Sequence, residues 1–159
     1  MNFDVLIVGS GAAGLTAALN LAPSRKVAVI AKGALGEGAT GWAQGGVAAA
    51  VGPDDDPALH AADTLAAGAG LCEPDVVQAI TAAAPEAIAW LSSQGAEFDR
   101  AADGTLRLGL EGAHGRRRIV HAHGDRSGAE LLKTVVDGAR ALSSVSLWDH
   151  PPAREILTR

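Results

Sequence analysis

The hydrophobic pattern near the start of the chain predicts two buried strands joined by a helix. Val5–Val8 and Val27–Ile30 are continuously apolar, which is typical of strands covered on both faces of a sheet. Ala12–Leu21 has a helix-forming composition, and Pro23 ends the helix. A strand, a glycine turn, a helix and a second strand form a βαβ unit, which predicts a right-handed crossover and a parallel sheet.

Proline and glycine positions mark three further helices. One is expected from Pro57 to about Gly68–Gly70, after three aspartates that suit the positive end of a helix dipole. A second is expected from Pro74 to a cap near Gly95, with an interruption at Pro85. The third is expected over Gly128–Leu142.

The other segments predict loops, a hairpin and late strands. Residues 33–52 are glycine-rich without a clear period, and so long a loop inside a compact domain is usually functional. Asp103-Gly104 is typical of a hairpin turn. Strands are expected in the segments RRRIVHA, SVSLWDH and AREILTR. Two early parallel strands make no stable sheet alone, so we expect the chain to be the front part of a longer protein.

Composition and charge narrow the class of protein. With 48% apolar and 19% charged residues, the chain is neither disordered nor collagen-like. A net charge of −5 with scattered basic residues argues against binding nucleic acid. Cys72 is the only cysteine, which fits a reducing compartment and a structural thiol better than a nucleophile. No apolar run is long enough for a membrane helix, and no signal peptide is evident, so we expect a soluble, cytoplasmic protein.

The glycine turn after the first strand indicates dinucleotide binding. In the pattern G-x-G-x-x-G, Gly9 allows a tight turn, Gly11 lets the backbone approach a pyrophosphate, and Gly14 allows close helix–strand packing. The free N–H groups at the helix start would hold the phosphates. The plain alternative is a tight turn that binds nothing.

The glycines alone leave the dinucleotide open between NAD and FAD. Ribose recognition usually needs an acid at the end of the second strand, where this chain has Ala31-Lys32-Gly33. The nearest acid, Glu37, lies further on, which weakens an ordinary NAD interpretation.

A second glycine cluster, EGATGWAQGGVAAAVG, suits a large ring system. Gly41, Gly45 and Gly46 give a backbone that can lie flat against such rings, and Thr40 and Gln44 can supply polar contacts. A flexible surface loop is the alternative from composition alone.

Four segments together carry a family resemblance: GSGAAGLTAAL, AKG, EGATGWAQGGVAA and DTLAAGAGLC. They resemble the flavoprotein family of succinate dehydrogenase and fumarate reductase, most closely its soluble L-aspartate oxidase branch, over essentially all 159 residues. The resemblance implies an α/β fold, the N-terminal part of a Rossmann-like FAD-binding domain with a parallel sheet that is incomplete here. We expect residues 1–52 to form the βαβ unit and flavin loop and residues 53–159 a helical and β-hairpin segment, with capping and C-terminal helical domains absent.

The resemblance also implies which residues contact the cofactor. The glycine turn would lie at the pyrophosphate, Lys32 near the adenosine ribose, and the second cluster against the isoalloxazine ring. The cofactor-binding residues so implied are Gly9, Ser10, Gly11, Ala12, Ala13, Gly14, Lys32, Ala39, Thr40, Gly41, Trp42, Ala43, Gln44, Gly45 and Gly46. The respiratory members carry a histidine at the position of Ala39 and attach FAD to it covalently, so Ala39 implies noncovalent FAD.

The segment LEGAHGRRRIVHAHGDRSG resembles the part of the family that reaches the substrate. The resemblance assigns Glu111 as the catalytic-site residue that pairs with the α-ammonium of L-aspartate, and a solvated surface glutamate is the alternative. His114 either approaches the same site or is satisfied by backbone groups, and the Arg117-Arg118 pair is expected mainly in structural ion pairs. His121 and His123 alternate on an expected strand and would share one face, and no metal site is expected.

Three more features of this segment and its surroundings are expected to be structural. Asp125–Gly128 resembles a family turn and is interpreted as a helix cap. By the same resemblance, the position of Arg116 is one that varies in the family. The three tryptophans, Trp42, Trp90 and Trp148, are expected to be packing residues.

The implied reaction is FAD-dependent oxidation of L-aspartate to iminoaspartate, with oxygen or fumarate as electron acceptor. Iminoaspartate would feed quinolinate and NAD synthesis, so quinolinate synthase is an implied partner. The family's arginine base and carboxylate-binding groups are expected beyond Arg159, so the 159 residues alone should show little or no turnover. The alternatives are a flavoprotein acting on another dicarboxylate, an FAD- or NAD-linked dehydrogenase of another substrate, and a non-catalytic dinucleotide-binding module.

Overall fold

The computed structural model describes residues 1–155, which belong to two compact units. Among the described residues, the first unit contains residues 1–43 and 128–155, and the second contains Gln44–Ser127. The elements in chain order are β1 (Val5–Val8), α1 (Ala12–Leu21), β2 (Val27–Ala31), a 3₁₀ turn (Ala39–Trp42), β3 (Val47–Ala48), α2 (Pro57–Ala67), α3 (Pro74–Ser93), β4 (Leu108–Gly109), β5 (Ile119–Val120), α4 (Ser127–Ala141) and β6 (Val145–Asp149).

The first unit is built on a parallel sheet in the order β1-β2-β6. Val27 pairs with Val5 on one side and with Val145 on the other. The central strand β2 is almost wholly buried, as its apolar run predicted. The α/β class, the βαβ unit and the parallel sheet are therefore confirmed.

Strand β1 differs from its prediction, because it is covered on one face only. Ile7 lies under α1, whereas Leu6 and Val8 are 58% and 62% exposed. Nothing in residues 1–155 covers that second face of this edge strand. A continuous apolar run therefore did not mean two buried faces here.

The second unit contains an antiparallel sheet in the order β3-β5-β4, together with α2 and α3. Its core combines strand and helix residues, namely Ala49, Ile88, Ala96, Phe98, Val120 and Ala122. Strand β3 lies inside the glycine-rich segment that the sequence predicted to be a loop. It is too short to show a period in the sequence, and its pairing with β5 comes from a partner more than seventy residues away.

Helix α3 runs through Pro85, so the predicted interruption is wrong. A proline inside a helix removes one hydrogen bond and costs about 3 kcal/mol. Ile88 and Leu91, in the turns after Pro85, pack into the core of the unit, and this burial favours continuation of the helix.

The other boundaries follow the sequence closely. Asp56 caps α2, since its Oδ1 accepts a hydrogen bond from the Ala58 N–H at 2.7 Å. Gly95 follows α3 with a φ of +96°, as expected of a left-handed cap. The turn at Asp103-Gly104 joins two segments bridged at Arg100 and Leu106. Of AREILTR, residues 153–155 form no strand, and its other four residues lie outside the described part.

No helix in residues 1–155 combines the length and the apolar character needed to cross a membrane.

Candidate functional site

A cleft of about 480 Å³ opens in the first unit at the carboxyl ends of β1 and β2. In open parallel sheets, ligands bind at this edge of the strands. The cleft, here called the strand-end cleft, is lined by Val8, Gly9, Ser10, Gly11, Ile30, Ala31, Lys32, Gly33, Ala34, Glu37, Gly38, Ala39, Thr40, Pro151, Pro152 and Ala153. It brings together the first two glycines of the turn, Lys32 and the start of the second glycine cluster.

Two positions of the glycine turn admit no other residue without a shift of the backbone. Gly9 has a φ of +114°, a conformation that L side chains rarely adopt. A Cβ on Gly14 would collide with the carbonyl oxygen of Gly9 and approach Ile7 Cγ2 at 3.2 Å. These contacts produce the tight turn and the close helix–strand packing that the sequence predicted.

The N-terminus of α1 is an open anion site. The first helical hydrogen bond runs from the Leu15 N–H to the Gly11 carbonyl at 3.0 Å, and Gly11 offers no side chain as a cap. The N–H groups of Ala13 and Gly14 have no acceptor among residues 1–155. With the helix dipole behind them, they suit a pyrophosphate, so the cradle fits a dinucleotide.

The start of the second glycine cluster is tied to this turn. Thr40 Oγ1 accepts a hydrogen bond from the Ala12 N–H at 3.3 Å. The Gly128 N–H, at the start of α4, donates to the Ala43 carbonyl at 2.9 Å, and a Cβ on Gly128 would collide with the Thr40 carbonyl oxygen. The 3₁₀ turn is therefore held from both sides, while Trp42 on it is 83% exposed.

The rest of the cluster, Gln44–Gly46, belongs to the second unit, where its backbone lies against β5. Gly46 has a φ of +77°, and a Cβ there would lie 2.9 Å from the Val120 carbonyl oxygen. A Cβ on Gly45 would lie 3.9 Å from Glu111 Oε2. The second unit thus brings Gly45 close to the predicted substrate residue.

Glu111 lies in the loop after β4 with a side chain that is 47% exposed. Its Oε1 lies 3.4 Å from His121 Nε2, and its backbone carbonyl accepts a hydrogen bond from the His114 N–H at 3.2 Å. Sequence reasoning missed the pairing with His121. No signal in the sequence marked this pairing, because the room that Gly109 leaves for the histidine ring is evident only in the structure.

The loop that carries Glu111 ends at a buried ion cluster centred on Arg118. The guanidinium is wholly buried and binds both oxygens of Asp55 at 2.8 Å and Asp63 Oδ2 at 2.9 Å. Asp63 Oδ2 also accepts the Gly115 N–H at 2.7 Å. The structural role expected of Arg118 is confirmed, but its two acidic partners were not identified from the sequence. Arg117 is exposed and forms no ion pair within residues 1–155.

Asp63 in this cluster and His60 beside it have perturbed pKa values. The Gly115 N–H, and then Arg118, lower the pKa of Asp63 because they stabilise its carboxylate. Burial lowers the pKa of His60, and the charge of Arg118 lowers it further. His60 contacts the ring of His114, with centroids 5.6 Å apart.

The prediction that His121 and His123 share one strand face is wrong. Strand β5 ends at Val120, and His123 has a φ of +50°. The N–H groups of His123 and Gly124 donate to the Asp99 carboxylate, so the chain turns there. Within residues 1–155, no three His, Cys, Asp or Glu side chains are grouped as a metal site would require.

A helix cap was expected at Asp125–Gly128, and in the structure Ser127 is the first residue of α4. Its hydroxyl accepts a hydrogen bond from the Ala122 N–H at 3.1 Å and so stabilises the preceding turn. Trp148 packs edge-on against Phe3, with ring centroids 5.3 Å apart.

Comparison with known proteins agrees with this geometry. L-aspartate oxidases of Agrobacterium fabrum and Streptomyces coelicolor are 51% and 50% identical to the chain over 96% and 87% of its length. The chain spans 29% and 24% of those two relatives. Among solved structures, the FrdA chain of a variant quinol fumarate reductase from Escherichia coli superposes with a TM-score of 0.89 at 31% identity, over 94% of this chain and 26% of that one.

The family described as FAD binding domain matches residues 4–159. The open helix terminus and the glycine turn, whose side chains are absent or small, meet the steric and electrostatic needs of that cofactor's pyrophosphate. FAD, the cofactor predicted from the sequence, is therefore confirmed. The chain belongs to the FAD binding domain family.

Proposed function

We propose that this chain forms the FAD-binding part of an enzyme that oxidises L-aspartate to iminoaspartate. The observation that carries the proposal is the level of identity, which is 43–51% to eight proteins named L-aspartate oxidase. The quinol fumarate reductase of similar fold is only 31% identical. Since the chain spans less than a third of those relatives, the activity belongs to the whole protein that carries it.

The strand-end cleft supports a specific placement of FAD. Ser10–Gly14 would hold the pyrophosphate through backbone N–H groups, and Lys32 would lie beside the adenosine ribose. Ala39–Gly46 would lie along the isoalloxazine ring, and FAD when bound supplies the hydride acceptor. Ala39 offers no nucleophile, so the cofactor would be held by noncovalent contacts.

Glu111 supports the choice of an amino acid as substrate. A carboxylate that is about half exposed can pair with an ammonium group without losing all of its hydration. A dicarboxylate without an amine gains nothing from that charge. The groups that bind the two carboxylates and remove a proton would come from the rest of the protein.

The wider assignments are proposals as well. Oxygen or fumarate would accept the electrons, and the product would enter quinolinate and NAD synthesis with quinolinate synthase as the downstream partner. A single cysteine, Cys72, supports a reducing compartment, and we propose the cytoplasm.

Anaerobic titration of the whole FAD-loaded protein tests the reaction. L-aspartate should bleach the flavin absorbance, and succinate at the same concentration should not. Glu111→Gln should raise the L-aspartate concentration needed for half-reduction about tenfold or more, because it removes the charge that pairs with the ammonium. Bleaching by succinate and not by L-aspartate would favour the second candidate, a dicarboxylate oxidoreductase like the structural relatives.

A further inference from the structure

His121 occupies a slot made by two glycines of the second unit. Its Cε1 lies 3.0 Å from where a Cβ on Gly46 would be, and its Nε2 lies 2.7 Å from where a Cβ on Gly109 would be. The distance at Gly109 is too short for a real Cβ unless the ring moves, whereas a Cβ on Gly46 would first meet Ile119 Cγ2 at 2.5 Å and the Val120 carbonyl oxygen at 2.9 Å. The ring has room there because both neighbouring residues lack a side chain, and the His121 side chain is 23% exposed.

The His121 ring directs one polar atom at Glu111. Nε2 lies 3.4 Å from Glu111 Oε1, while Nδ1 is buried and has no hydrogen-bond partner within residues 1–155. A neutral imidazole carries one N–H, and a proton on Nδ1 would face no acceptor there. The proton is better placed on Nε2, where a movement of about half an ångström would bring it to ordinary hydrogen-bond length from the carboxylate.

The backbone carbonyl and Oε2 of Glu111 also have close neighbours in the second unit. The His114 N–H holds its backbone carbonyl, and a Cβ on Gly45 would approach its Oε2. The side chain itself is about half exposed, so the contact from His121 is the polar interaction that selects one carboxylate orientation among the described residues. Without it the side chain would regain rotamer freedom, which for glutamate is considerable.

We propose that His121 is a positioning residue that orients the Glu111 carboxylate for the ammonium group of an amino dicarboxylate. The inference rests on the proposed function, because it assumes that Glu111 meets the substrate amine. It also accounts for the lack of a side chain at Gly109, since the Cβ of an alanine there would push the ring away from Glu111. A histidine that only fills space in the slot would have no effect on the choice between amine and non-amine ligands.

The test uses the whole FAD-loaded protein and compares an amine with a non-amine ligand. His121→Ala should raise the KM for L-aspartate about tenfold, the effect of losing one hydrogen bond to a charged group, with kcat changed less than about threefold. The Kd for succinate, measured from the flavin spectrum, should stay the same. His123→Gln, an exposed histidine two residues on, is the matched control and should leave both values unchanged.

A pair of amides guards against a purely structural effect. His121→Gln places an amide N–H near the position of Nε2 and should restore most of the affinity for L-aspartate, whereas His121→Asn reaches only the position of Nδ1 and should not. In the background of Glu111→Gln, His121→Ala should add little, because the group it positions has lost its charge.

Three results would overturn the inference and leave the proposed function intact: an unchanged KM in His121→Ala, an equal loss of L-aspartate and succinate binding, or equal behaviour of the Gln and Asn variants. If the unchanged protein fails to oxidise L-aspartate, the proposed function fails first and the inference falls with it.

Discussion

Replacement of Arg118 by methionine is expected to be the most damaging single change in the second unit. The side chains of Arg118 and Asp55 are both 0% exposed and meet through two contacts of 2.8 Å. Arg118→Met keeps the length of the side chain but leaves the Asp55 carboxylate buried without a cation. Removing one partner of a buried ion pair costs about 3–5 kcal/mol.

The assay is thermal unfolding of the whole protein with FAD at a fixed saturating concentration, because a bound ligand itself raises the midpoint. For a domain of about 150–250 residues, such a loss corresponds to a fall in Tm on the order of 6–20 °C. Arg117→Met is the matched control. Its guanidinium is exposed and has no ion pair within residues 1–155, so the change in stability should stay within about 0.5 kcal/mol.

The double variant Asp55→Leu with Arg118→Met removes both buried charges and tests the reason for the loss. Apolar replacement of a whole buried pair is often neutral, so the double variant should recover much of the stability lost in Arg118→Met. A Tm for Arg118→Met equal to that of Arg117→Met would show that leaving Asp55 buried without a cation does not destabilise the protein. A double variant that loses as much unfolding free energy again as Arg118→Met would show that the unpaired Asp55 carboxylate is not the cause of the loss.

Three further predictions concern pH and the cofactor cradle. Burial lowers the pKa of His60 below its ordinary 6.5, so the stability that neutral His60 contributes is complete above pH 6.5 and is lost as the pH falls through the lowered value. Asp63 has a pKa held below 3.8, so the stability that its carboxylate contributes is lost in stronger acid. Acid titration of Tm should show both steps, His60→Phe should remove the upper one, and a Tm that rises on acidification would contradict the assignment. Gly14→Ala should abolish tight FAD binding in fluorescence titration, because its Cβ collides with the Gly9 carbonyl oxygen, whereas Gly112→Ala, with open space around it, should bind like the unchanged protein. Thr40→Val removes the acceptor of the Ala12 N–H and should weaken FAD about threefold to tenfold in the same titration, and unaltered affinity would show that this hydrogen bond does not order the turn.

The parts of the fold that could be predicted from sequence depend on local chemistry. Gly14 must be glycine because the carbonyl oxygen of Gly9, five residues earlier, leaves no room for a Cβ. The cap of α2 is equally local, since Asp56 accepts a hydrogen bond from an N–H only two residues later. Such requirements leave a pattern in a short window. Pro85 shows the limit of that approach, because tertiary packing of α3 outweighs the local cost of a proline.

The parts that could not be predicted depend on residues far apart in the chain. Asp55 and Arg118 are separated by 63 positions, and neither carries a sign of the other in its own segment. Strand β3 exists because β5 pairs with it, and the His121 ring has room beside Glu111 because Gly109 lacks a side chain. The exposed face of β1 was missed for the same reason, since coverage depends on which elements arrive from elsewhere.

Cofactor binding to the whole protein shows whether the two glycine clusters hold FAD by noncovalent contacts. Purified protein should be yellow with one FAD per chain, and acid precipitation should release all of the flavin into the supernatant. A protein that stays colourless after incubation with FAD would show that the two clusters do not bind the cofactor, and flavin that remains attached to the precipitated polypeptide would show that the attachment is covalent.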